Sequence, residues 1–422
     1  MATASDFAVL EDVAREARER WNVPGIAVGL LRDGRVETFA DGVASLETGA
    51  PVTAEARFRV ASISKPFTAS LALTLVQDGL LDLDEPLRGR WTARALLSHS
   101  AGLASEWPEP LAGTPDDDDA LERLLASQDP APGPVGTEGV FSYCNAGFWI
   151  VAAEIARRTG QTFEAAMQER VLDPLGLART GFEDGGADAA EGHSQVTPGA
   201  DEHRVERTAY PRVRRSSGGL HSTVGDLLRF AAHHLGGPGP LSPGSIRAMQ
   251  EPQVSFFGGE YAIGWLVREA NGRRVVEHAG SALGYQTVLS LVPEEGLALA
   301  VLTNSSRGAA AYAEVQRALG LGEVEPEEAP IPPGELAAFA GRFRGQHDEV
   351  VVRAADGGLQ LDYVGADAFT GEKRPFPPVA APYVGHGVFQ VREGEERGTA
   401  AEFLEDGRLL RLGWSLFERV PE

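Results

Sequence analysis

Lysine is almost absent from this chain. Only Lys65 and Lys373 occur among 38 basic residues in 422, and arginine supplies the rest. Arginine keeps its proton under biological conditions, whereas a lysine in a suitable environment can release it, so a lysine retained against this bias is a candidate for proton transfer. Cysteine is rarer still. Cys144 alone excludes an intrachain disulfide and fits a reducing compartment. No apolar run approaches membrane-span length, since the longest, 26–31 and 297–302, are strand-sized. Residues 1–20 show neither a basic n-region nor an apolar h-region, so no secretion signal and a cytoplasmic location are expected. Basic charge is short overall: 38 Lys and Arg against 61 Asp and Glu leave a formal charge of −23, whose field repels nucleic acid and anionic membrane surfaces. His-Glu-x-x-His is missing, and so is a Gly-x-Ser-x-Gly elbow. A phosphate-binding Gly-x-x-x-x-Gly-Lys cannot be formed with lysine only at 65 and 373. No metal and no cofactor is expected.

What is present is a chain with 43% hydrophobic residues, long enough for a large domain plus a smaller one. The periodicity predicts an amphipathic helix over 6–20, a β-hairpin over 25–31 and 36–40, and a helix over 67–78 with Ser62 near its start. From about 90 to 235 helical stretches alternate with Pro- and Gly-rich loops, and the acidic segment 106–134 carries the run 116–119, expected to be solvated. Strands are expected at 275–276, 286–292 and 297–304, then a helix at 309–319. The fold class is therefore α/β, an antiparallel sheet flanked by helices with a mainly helical insertion. Residues 1–320 form this unit, 321–334 a Pro- and Glu-rich linker, and 335–422, with short alternating segments, a small antiparallel β-barrel.

Three short segments carry chemistry. Ser62 and Lys65 are three apart at a helix start, so their side chains share a face. A serine hydroxyl is a weak nucleophile until a base takes its proton, and a buried lysine can serve if its pKa falls to roughly 7–8. The second segment, Phe141-Ser142-Tyr143-Cys144-Asn145, offers a phenol and an amide two residues apart; the phenol could act as a base only beside a cation such as Lys65. The third, His278-Ala279-Gly280-Ser281, has small residues that let a substrate backbone lie along a strand edge, with His278 as a donor to a substrate carbonyl or carboxylate and nearby backbone N–H groups as an oxyanion hole.

In order and type, Ser62-Ile63-Ser64-Lys65, Tyr143-Cys144-Asn145 and His278-Ala279-Gly280 resemble the three motifs of the serine β-lactamase-like family, which includes penicillin-binding proteins, DD-peptidases, class C β-lactamases, D-aminopeptidases and carboxylesterases. Leu96-Leu97-Ser98-His99-Ser100-Ala101-Gly102-Leu103, Val171-Leu172-Asp173-Pro174-Leu175-Gly176-Leu177 and Ser216-Ser217-Gly218-Gly219-Leu220-His221-Ser222-Thr223 are similar to its supporting segments, and the likeness runs over about 7–320. The resemblance implies that Ser62 is acylated, that Lys65 and Tyr143 share general base and acid duty, that Asn145 binds the substrate amide, and that the N–H groups of Ser62 and Ser281 form the oxyanion hole. Where many β-lactamases have Lys-Thr-Gly this chain has His278-Ala279-Gly280, lacking the cation and hydroxyl that grip a carboxylate. Weight moves to a small ester or peptide/amide substrate, with a β-lactamase or DD-peptidase, or a slowly deacylating β-lactam or peptide sensor, as alternatives. The tail resembles the lipocalin-like barrel of some relatives, with 336–343 as its opening strand. The sequence leaves the oligomeric state open, a homo-oligomer included.

Overall fold

The computed structural model describes residues 4–104, 114–127, 130, 132–134, 136–183, 186, 188–196, 201–322, 325–366, 372–393 and 397–421. Its centre is an eight-stranded antiparallel sheet in the order Arg35–Gly42, Gly25–Arg32, Leu297–Thr303, Tyr285–Val292, Arg273–Ala282, Leu266–Ala270, Gly259–Tyr261, Val254–Phe256. The two strands next to the N-terminal edge read as unbroken apolar runs because both faces are covered. Alternate side chains go to opposite faces. Ile26, Val28, Leu30, Leu299 and Val301 pack with Phe7, Leu10 and Ala14 of helix Ala4–Arg20 and Val315 of helix Gly308–Ala318. Ala27, Leu31, Ala298, Ala300 and Leu302 instead join a larger core with helices Ser64–Gln77, Asn145–Thr159 and Val224–His234. An α/β sandwich with a helical layer on the cleft side is thus what the sequence pattern anticipates.

A second antiparallel sheet closes on itself. Strands Gly341–Arg344, Glu349–Ala355, Gly358–Ala366, Val379–Gly385, Val388–Gln390, Ala400–Leu404, Leu409–Leu412 and Ser415–Arg419 form a ring of eight, sealed by the pairing of Glu349–Ala355 with Gly358–Ala366. Closure removes the exposed edges that an open sheet would present. Its interior is filled by Phe343, Val352, Leu361, Phe389, Phe403, Leu410 and Phe417.

Two sequence expectations need adjustment. The segment 336–343 does not open the barrel as one strand: Pro333–Phe339 is a helix, and the strand begins at Gly341. Pro332-Pro333 suits a helix start, where a missing N–H costs nothing, and Glu-Leu-Ala-Ala that follows is strongly helix-forming. The linker region is less free than its composition suggests, since Leu321 is buried with the first core and the Ala329 N–H donates to Tyr383 O on the barrel. Of the acidic segment, residues 106–113 lie outside the described residues, while 116–119 are exposed, with Asp117 and Asp118 paired to Arg123 and Arg212.

One buried ion pair fastens the sheet's later strands to the chain's return. Arg268 donates to both carboxylate oxygens of Glu277 at 2.7 and 3.0 Å and to Leu321 O at 2.7 Å. Glu277 also accepts from Ser290 Oγ at 2.8 Å and Gln316 Nε2 at 3.1 Å. Removing one partner strands the other charge in the interior. Arg268→Leu should lower the unfolding free energy in urea by about 3–5 kcal/mol, and adding Glu277→Leu should recover most of it. A loss under about 1 kcal/mol would mean that water reaches the pair.

Candidate active site

Ser62 lies in a single 3-10 turn, Ala61–Ile63, that leads directly into the helix Ser64–Gln77. The residue before it, Ala61, sits in the left-handed region at φ 47°, a strained conformation for a side chain-bearing residue that the surroundings must enforce. Two neighbours do so. Val60 N–H donates to Leu220 O at 2.9 Å, and Val60 O accepts from Thr287 Oγ1 at 3.0 Å. The turn presses on the sheet at Gly280, where a Cβ would stand 2.1 Å from Val60 O and 2.5 Å from Thr287 Oγ1. Glycine is required there by close approach, so this member of the third motif is fixed by packing.

Lys65 is wholly buried, and its ammonium nitrogen reaches Ser62 Oγ at 3.1 Å, Asn145 Oδ1 at 2.8 Å and Ser217 O at 2.8 Å. These contacts serve either protonation state: three N–H donors in the charged form, or two donors with a lone pair toward the Ser62 O–H in the neutral one. The aromatic rings of Tyr143 and Phe148 lie 4.7 and 5.4 Å from the same nitrogen, a cation–π arrangement. The segment that provides Ser217 is stitched along the nucleophile helix, since Ser64 Oγ accepts from Leu220 N–H and Thr68 Oγ1 donates to Ser216 O.

Tyr143 is partly buried in the extended stretch before helix Asn145–Thr159, and Asn145 is that helix's first residue. The stretch is held by His99, whose ring stacks on Tyr143 with centroids 4.1 Å apart. His99 O accepts from Ser142 N–H, and His99 Nδ1 accepts from Cys144 N–H at 2.9 Å, which places the ring proton on Nε2. Burial, then the nearby Lys65 charge, then His278, hold its pKa well below the ordinary histidine value, so it is neutral. From the sequence, His99 has no expected role beyond its place in a supporting segment.

The third motif departs from expectation in one residue. His278 is buried, and both ring nitrogens are engaged: Nδ1 lies 2.6 Å from Ala279 O and Nε2 2.9 Å from Tyr261 Oη. Its pKa falls to about 3, mainly by burial and then by Lys65. A neutral, doubly bonded ring has no N–H left to aim at a substrate. Ser281, by contrast, is exposed, and it belongs to the stretch of strand Arg273–Ala282 beyond Glu277, the last residue paired with Leu266–Ala270. From 278 to 282 that outer edge has no neighbouring strand among the described residues. Sequence reasoning also missed Trp414 and Arg411, barrel residues that touch the Tyr143 stretch: Tyr143 N–H donates to Trp414 O at 3.0 Å, and Arg411 Nε donates to Phe141 O at 3.2 Å.

A family model described as Beta-lactamase matches residues 10–322. The chain belongs to the β-lactamase family. Penicillin-binding protein 4 of Amycolatopsis lactamdurans is 28% identical over 368 residues, covering 77% of this chain and 94% of that protein. A D-aminopeptidase of Brucella anthropi is 27% identical over 343 residues, covering 76% of this chain and 64% of its own length. The crystal structure of SurE superposes with a TM-score of 0.77 at 25% identity over 99% of both chains, so the likeness extends through the barrel. In this family of serine hydrolases the barrel of the present chain lies outside the matched residues. No helix among the described residues is long and apolar enough to cross a membrane.

The buried histidines set the acid side of the stability curve. His278 and His234 have pKa values near 3, His221 near 2 and His99 well below 6.5, all chiefly through burial. Above pH 6.5 these rings are neutral in both folded and unfolded chains. Below it only the unfolded chain takes up protons, so stability falls as pH drops, by about 1.4 kcal/mol per unit for each such ring. Between pH 6.5 and 5 carboxylates held low by arginine, such as Glu164, do not yet contribute. Thermal midpoints should decline over that window, less steeply in His278→Gln. A flat profile would show that the rings are solvated.

Proposed function

We propose that this chain is a serine hydrolase that forms an acyl-enzyme on Ser62, with Lys65 and Tyr143 exchanging the protons, acting on small peptide amides or esters. The observation that carries the reading is the buried Lys65 nitrogen 3.1 Å from Ser62 Oγ, oriented from behind by Asn145 and Ser217. Neutral Lys65 takes the Ser62 proton as Oγ attacks the carbonyl carbon. Negative charge then develops on the carbonyl oxygen, where the N–H groups of Ser62 and Ser281 are the assigned donors. The proton passes through Lys65 and Tyr143 to the departing nitrogen or oxygen. Water, deprotonated by the same pair, releases the acyl group and regenerates Ser62. Asn145 Oδ1 accepts from Lys65, and the family resemblance assigns the Asn145 side chain to the substrate amide.

The open strand edge from 278 to 282 suits an extended substrate backbone. With Lys-Thr-Gly replaced by His278-Ala279-Gly280 and His278 turned inward, that edge offers the substrate no fixed cation, which favours amides and esters over β-lactams whose carboxylate must be gripped. The D-aminopeptidase relative, together with SurE, also crystallised with D-Leu, supports substrates containing D-residues. The buried Cys144 is compatible with a reducing location, and the barrel is the segment assigned to a lipocalin-like type.

Intact-protein mass spectrometry after exposure to a fluorophosphonate should show one adduct in the wild type and none in Ser62→Ala. Penicillin should label far more slowly. Lys65→Met should slow fluorophosphonate labelling about 10²–10⁴-fold, the usual contribution of a positioned base. Among substrates, D-amino acid amides and short esters should turn over ahead of L-amides. A folded wild-type protein that takes up neither reagent would replace the hydrolase reading with a non-catalytic binding one.

A further inference from the structure

The stretch that carries Tyr143 is gripped from two sides that belong to different parts of the chain. Three consecutive backbone N–H groups, of Ser142, Tyr143 and Cys144, all have partners, and the outer two are both on His99. The middle one donates to Trp414 O, at the tip of the barrel hairpin that joins Leu409–Leu412 to Ser415–Arg419. This hairpin turns in two residues, Gly413-Trp414, with Gly413 at φ 56°, a turn that glycine in its first position permits.

The Trp414 indole packs against three rings of the catalytic unit: Phe256 at 5.5 Å, Phe141 at 5.8 Å and Tyr143 at 5.9 Å between centroids. It nevertheless remains 45% exposed, so it is not a core residue of either part. Beside it Arg411 is buried, forms an ion pair with Glu402, lies 5.7 Å over the Phe141 ring and donates to Phe141 O at 3.2 Å. Glu402 in turn accepts from Phe257 N–H at 3.3 Å. Burying an arginine is costly unless its donors are used, and here one of them is spent on a carbonyl two residues before Tyr143. A barrel serving only as a passive appendage would not need a buried cation at this contact.

We propose that the barrel hairpin is a working part of the active site, with Trp414 and Arg411 as positioning residues that fix the 141–143 backbone and thereby aim the Tyr143 phenol. This rests on the assignment of Tyr143 to proton transfer. Neither residue is assigned contact with substrate. Loss of the hairpin grip leaves Ser142 and Cys144 held by His99, so the stretch stays in place overall while the peptide unit between them gains freedom. Small displacements of a proton-transfer group cost much more in rate than in stability.

The test uses the full chain as wild type, Trp414→Ala, Trp414→Phe and Arg411→Gln, with two independent readouts. Amide hydrogen exchange of a peptide spanning 140–147 should show the Tyr143 amide exchanging about tenfold faster in Trp414→Ala and Arg411→Gln, the scale of one weakened hydrogen bond, with the helix 145–159 unchanged. Fluorophosphonate labelling of Ser62 should slow by about tenfold or more, with a displaced pH profile, and Trp414→Phe should restore both readouts toward wild type. Unchanged exchange in both variants overturns the docking of the stretch by the barrel. Faster exchange with an unchanged labelling rate and pH profile overturns the positioning of Tyr143. A wild type that takes no label overturns the hydrolase reading instead, and the exchange difference then decides the docking alone.

Discussion

A lysine nitrogen without solvent contact has to find its hydrogen-bond partners within the protein, and Lys65 finds three oxygens from three separate segments. Leaving any of its donors unmatched in the interior would cost several kcal/mol. The helical layer is arranged so that none of these three acceptors is missing. Asn145 is delivered by the first residue of the Asn145–Thr159 helix, and Ser217 is fixed by the Trp149 Nε1 bond to its hydroxyl. Ser62 comes from the strained turn just ahead of the same helix that bears Lys65. The polar cost of burying one nitrogen thus dictates how helices Ser64–Gln77, Asn145–Thr159 and the 215–220 segment sit together. The nucleophile is the one member of this set left partly open to solvent.

Everything else acts as a wall around that point. The sheet supplies a rigid edge and, at Gly280, the flat surface against which the Ser62 turn rests. His278 and Tyr261 fill the space beneath the edge as a neutral hydrogen-bonded pair, keeping a second charge away from Lys65. His99 backs Tyr143 with a neutral ring for the same electrostatic reason. The two buried histidines next to the lysine remain uncharged first because burial disfavours the protonated ring and then because Lys65 repels an added proton.

The parts of this arrangement that depend on short sequence separations were legible in the sequence. A three-residue interval on a helix start puts Ser62 and Lys65 together, and the apolar runs at 25–31 and 297–304 mark two strands of the sheet, one residue from the observed bounds. The contacts that escaped reading join residues far apart in the chain. Nothing local marks His99 as the partner of 142–144, and nothing in Gly413-Trp414 says that the tip of so distant a hairpin touches Phe141. His278 was misread in direction because a strand residue's face follows from register, and its hydrogen-bond partner Tyr261 lies two strands across. The helix at Pro333–Phe339 was hidden by a likeness to a strand, although its own residues favour helix.

With only two lysines in the chain, the protonation of Lys65 can be followed directly. Labelling with [13Cε]lysine gives two resonances, and Lys65→Arg assigns them. The central claim is that Lys65 is the group that takes the Ser62 proton, so the pH at which its resonance titrates should match the pH that half-activates Ser62 labelling by a fluorophosphonate. Coincidence of the two curves in the same buffer is the predicted result. A Lys65 resonance that stays fully protonated across the range in which labelling rises would contradict it, and the proton acceptor would have to be sought elsewhere.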